Sequence, residues 1–137
     1  MEHTNQRSIA LSTKILAIFA VVFGCMTIFS GSSILFASQQ AQTWAGDYVP
    51  FVLWFNFLAG FVYVITGLGA LYAQGWARTL ALVLATTSLL VCLAFFFHIW
   101  RGGAFEMRTV GALIFRVSFW LVMVVVLTRN GKMQATA

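Results

Sequence analysis

Four stretches of this chain run without charge or nearly so: 15–46, 48–77, 79–97 and 109–128, the last broken only by Arg116. A hydrocarbon core is crossed by about 20 apolar residues of helix, and each stretch is long enough. Backbone at membrane depth has no water to bond. Continuous apolar runs satisfy it as helices, whereas barrel strands would alternate over about 10 residues. The composition agrees, since 61% of the 137 residues are hydrophobic and 8% charged. A soluble domain carries about 25% charge to cover its surface. The expected fold is therefore all-α, an integral membrane up-down four-helix bundle forming one domain over residues 1–137.

The spans are expected at about 15–37, 49–73, 79–100 and 109–128. Arg7 and Lys14 precede the first, as in the leading region of a signal peptide. Its apolar stretch exceeds the roughly 7–15 residues of a cleaved segment, so a retained helix is expected, with Ala37 and Ala41 as the alternative cleavage sites. Pro50 opens the second span in its first turn, where a missing N–H does no harm. Gln74-Gly75-Trp76-Ala77-Arg78 reads as a tight turn, Arg101-Gly102-Gly103 as a break, and Arg129-Asn130-Gly131-Lys132 as a polar tail. Arg7, Lys14, Arg78, Arg129 and Lys132 fall on one side and Arg101 and Arg108 on the other. By the positive-inside rule both termini are expected in the cytoplasm, with a bacterial inner membrane as the setting. Short connections make neighbouring helices antiparallel.

Small residues recur on two helix faces, Gly24, Thr27 and Gly31 in the first span and Asn56, Gly60, Tyr63 and Gly67 in the second. Such stripes let backbones approach, and in lipid that packing, rather than hydrophobicity, joins helices. Arg116 stands apart. A charge at that depth costs at least about 2.5–3.5 kcal/mol, so it must face helices, water or a partner rather than lipid.

Depth groups Arg116 with other polar residues. At 1.5 Å per residue, Asn56 lies roughly 9–10 Å below Pro50 and Arg116 roughly 12 Å below Arg108. His98 ends the third span, and Asp47, Glu106 and Arg108 sit in or beside the adjoining loops. All six fall in one half of the membrane, and the other half reads as almost purely apolar. Arg116 shares a face with Thr109, Ala112, Phe119 and Met123, and His98 shares one with Val91, Ala94 and Thr87. Arg116 is expected to bond the Asn56 carbonyl and to reach a carboxylate, Glu106 or Asp47. The cluster is either a structural lock fixing helix register or a pocket open to the outer leaflet for a polar or anionic head.

No complete catalytic set is present, and no cofactor or metal is expected. His3 lies on the opposite side from His98, Glu106 and Met107, which leaves one usable histidine where a catalytic zinc wants three protein ligands. Two axial haem histidines are excluded within one subunit on the same count. There is no HExxH and no phosphate-cradling glycine loop. Cys25 and Cys92 lie inside apolar spans without a CxxC pair. They read as small core residues, the sharper alternative being a soft Cu(I) site with Met26 or Met107. The formal net charge of +5 comes from helix ends. With no basic run interleaved with aromatics, nucleic-acid binding has no footing.

The segment Trp54-Phe55-Asn56-Phe57-Leu58-Ala59-Gly60-Phe61-Val62-Tyr63, with Phe105-Glu106-Met107-Arg108-Thr109-Val110, resembles small four-span bacterial inner-membrane proteins of unassigned function. In size and helix spacing the chain is also similar to DoxX-like proteins. That resemblance implies a link to quinone-coupled sulfur oxidation and carries across no catalytic residue. The function expected first is a non-enzymatic component or accessory subunit of a membrane complex, with a membrane protein or a second copy as partner. The alternative is a membrane protein whose pocket near the outer leaflet binds a quinone, a lipid head group or a small molecule.

Overall fold

The computed structural model describes residues 9–44 and 46–135, and Arg7 and His3 lie outside them. Four long helices form: α1 (Leu11–Leu35), α3 (Pro50–Leu71), α4 (Trp76–Trp100) and α5 (Met107–Ala135). A short α2 (Gln39–Trp44) follows α1. All four long helices are long and apolar enough to cross a membrane. The shortest, α3, has 22 residues, about 33 Å at 1.5 Å each, against a hydrocarbon core of about 30 Å. Large apolar side chains such as Ile15, Phe29, Leu58, Leu90 and Val125 face outward, the surface of a protein solvated by lipid.

Two boundaries depart from hydropathy. Trp76, Ala77 and Arg78 are not a turn but the first turn of α4, and Ala77 is fully buried. Likewise the polar segment after Thr128 stays helical to Ala135. Intrahelical bonds need no apolar side chains, so hydropathy marks where the bilayer ends, not where the helix does. Asn130 ties this extension down by donating to the Thr13 hydroxyl of α1 at 2.6 Å. The first turns of α1 and the last turns of α5 therefore stand side by side.

Every buried residue of α1 is small: Thr13, Ala17, Ala20, Gly24 and Gly31. They meet the stripe on α3 in antiparallel register. A Cβ added at Gly24 would lie 2.8 Å from the Gly60 carbonyl, and one at Gly67 would lie 2.8 Å from the Ala17 carbonyl. This is the most extensive helix–helix contact among the described residues. The α1–α5 pair is far looser, and large side chains fill the interior instead: Tyr63 from α3, Phe95 from α4, and Leu113, Trp120 and Met123 from α5. Tight packing on one side of α1 and loose packing on the other set up the site.

Candidate functional site

Between α1 and α5 the looseness becomes a crevice. At its mouth is a cavity of about 540 Å³ whose walls include Ser30, Trp44, Tyr48, Asn56, Glu106, Arg108 and Thr109. Deeper lies a cavity of about 290 Å³ with walls from Phe23, Met26, Thr27 and Arg116. Ser30, Leu53, Asn56 and Ala112 line both, so the two cavities adjoin along a path from the loop end down to Arg116. The spacing on α1 explains the wall: Phe23, Met26, Thr27 and Ser30 recur by three and four and form the face that turns from α3 toward α5.

Arg116 is only 4% exposed. Its guanidinium donates through Nη1 to Asn56 Oδ1, while its Nε–H is buried without a partner. Phe23 and Tyr63 present their rings to it, with centroids 5.5 and 5.7 Å from Cζ. Such ring contacts are worth up to about 2 kcal/mol when desolvated, but they leave the charge formally uncompensated. Among the described residues no ion pair reaches Arg116. Below it Phe19, Phe23, Phe115 and Phe119 meet across the gap, with Phe23 and Phe115 centroids 5.6 Å apart and Phe19 and Phe119 5.2 Å apart. These rings close the crevice underneath.

The remaining polar residues are distributed differently from the depth-based grouping. The Glu106 carboxylate turns to the 46–48 loop and accepts the Asp47 backbone N–H at 3.1 Å. It lies so close over Gly46, at φ +74°, that a side chain there would collide with it. Neither carboxylate therefore reaches Arg116. Glu106 and Arg108 flank the mouth, whereas the exposed Asp47 does not line it. His98 belongs elsewhere. It lies in a separate surface depression with Phe51 and Arg101, and its Nε2 is 3.2 Å from the Ala104 carbonyl across the turn that ends α4.

Depth reasoning also missed a polar group packed behind Arg116. Tyr63, Ser88 and Trp120 are buried, and their hydroxyl and indole groups have no hydrogen bond of complete geometry. All three gather with Arg116 around the Tyr63 hydroxyl, the Tyr63 and Trp120 rings being 4.8 Å apart. The signal was present: Trp120 follows Arg116 by four residues, and Tyr63 follows Asn56 by seven, each on the same helix face. Of the cysteines, Cys25 is exposed on α1 and Cys92 is buried in α4. The described residues include no group of three or more His, Cys, Asp or Glu placed to hold a metal ion.

The crevice thus offers a donor at its foot, hydroxyls on one wall and an apolar floor. That arrangement can grip an oxygen-bearing head. Comparison of this chain with protein-family models, curated proteins and solved structures finds no match.

Proposed function

We propose that this protein binds the polar head of a membrane amphiphile in the α1–α5 crevice, with Arg116 as the principal donor. The observation that carries this reading is Arg116 itself, a buried guanidinium with no carboxylate partner that lines an open cavity. A structural lock would bring a carboxylate to it, and Glu106 is engaged with Asp47 instead. An oxygen acceptor matches the site, whether on a quinone, a lipid or another small molecule. An accessory role in a larger complex needs a protein-facing surface, and the outward side chains are those lipid would equally cover. The proposed setting is a bacterial inner membrane with cytoplasmic termini, supported by the clustering of Lys14, Arg78, Arg129 and Lys132 toward the termini.

The test is gentle purification followed by mass spectrometry of everything that accompanies the protein, for wild type and Arg116→Met. Methionine keeps an apolar stem and removes the charge, a change that is often neutral when buried partners relax. One amphiphile in stoichiometric amount, lost from a folded Arg116→Met protein, is the expected result. Retention of that molecule by the folded variant would end the reading. Stoichiometric protein subunits with no amphiphile would favour the accessory role instead.

A further inference from the structure

We infer that the head received in the crevice is an oxyanion, a carboxylate or a phosphate, carried on an apolar tail that leaves sideways into the bilayer between α1 and α5. This rests on the proposed binding of a polar head and adds its charge and its route.

The charge argument starts from what surrounds Arg116. Every group near it is neutral: the Asn56 amide that accepts its hydrogen bond, the Tyr63 hydroxyl, and the rings of Phe23 and Tyr63. A buried cation left without a counter-charge is strongly unfavourable, and a neutral carbonyl would supply none. An oxyanion supplies that counter-charge, and charge-assisted bonds to guanidinium are roughly twice as strong as neutral ones. Arg108 at the mouth adds a second positive charge on the way in. The one carboxylate lining that mouth, Glu106, is turned to the Asp47 N–H. Arg108 and Glu106 offset each other at the mouth, and the net positive charge of the lining sits at Arg116.

The route follows from the walls. The deeper cavity is bounded on the α1 side by Met26, which is 64% exposed on the outer surface of the bundle, and by Thr27. On the α5 side stands Ala112, whose short side chain obstructs little. The phenylalanines beneath block any path deeper into the bundle. A head held at Arg116 therefore directs its tail outward past Met26, where lipid solvates it.

The test uses the full-length protein in uncharged maltoside micelles and four probes: oleate, oleoyl lysophosphatidic acid, oleyl alcohol and a short-chain ubiquinone. Binding is read by native mass spectrometry, with thermal unfolding of each variant alongside. In wild type at least one anionic probe should bind ten-fold or more tightly than oleyl alcohol, and whichever is tighter identifies carboxylate or phosphate as the source. Asn56→Asp keeps Arg116 and supplies it with an internal counter-charge, so the preference for anions should vanish while the protein stays folded. Equal binding of oleyl alcohol or the quinone overturns the oxyanion inference and leaves the polar-head reading standing. An anion preference undiminished in folded Asn56→Asp also overturns the inference. Failure of all four probes to bind overturns both.

Discussion

Arg116 on α5 donates a hydrogen bond to the side-chain oxygen of Asn56 on α3, joining two helices through residues 60 positions apart in the chain. This bond positions the guanidinium at the foot of the crevice instead of letting it snorkel toward Arg108. Asn56 is half-buried and lines both parts of the passage, so it orients the donor and shapes the wall together.

Asn56→Leu should therefore destabilise the protein by about 2 kcal/mol, the worth of a hydrogen bond to a charged group. Reversible unfolding in mixed detergent micelles would measure it. A loss well under 0.5 kcal/mol would mean that water or another group replaces the amide, and that Asn56 does not hold Arg116 in place.

Gly24→Ala tests the other side of α1. The new methyl would stand 2.8 Å from the Gly60 carbonyl and 2.8 Å from Val64 Cγ2. The first of these is backbone, so the helices must part rather than a side chain rotate. Overpacking of this kind costs about 1–3 kcal/mol, and the same unfolding measurement should show it. Because α1 also forms one wall of the crevice, the shift should weaken amphiphile binding as well. Unchanged stability would indicate that the α1–α3 seam is looser than its geometry implies.

The fold was legible where the bilayer dictates composition. The uncharged runs located all four long helices and the glycine stripes located the α1–α3 seam, because lipid leaves few other ways to satisfy backbone and pack helices. The short α2 carried no such signal, being six residues of mostly polar character. At the site, depth alone paired Arg116 with Asn56. Depth says nothing of azimuth, however. His98 shares the right depth, but it lies over the turn that closes α4, where Gly103 leaves room for its ring. Glu106 failed to reach Arg116 for a local reason: the left-handed backbone at Gly46 brings the Asp47 N–H to its carboxylate. Side-chain choices between two nearby donors are settled by loop geometry that spacing does not encode.

Two helix ends built alike carry different residues and so predict opposite outcomes. After α4, Gly102 takes φ +83°, its N–H bonding Ile99 O at 2.8 Å and the Gly103 N–H bonding His98 O at 3.0 Å. After α3, the same pattern joins Ala73 to Ala70 O at 3.1 Å and Gln74 to Gly69 O at 2.8 Å, but the left-handed position is Ala73 at φ +53°. An L side chain in that conformation costs about 1–2 kcal/mol, whereas glycine adopts it freely. Ala73→Gly should then stabilise the protein by about 1 kcal/mol, the relief of strain slightly exceeding the added freedom of the unfolded chain. Gly102→Ala should destabilise it by a similar amount, since nothing else lies within 4 Å of the added methyl and strain is the only cost. Measuring both in one unfolding series isolates the backbone effect from packing. If Ala73→Gly proves destabilising, the α3–α4 turn is held by side-chain contacts of Ala73 rather than by its carbonyl bonds.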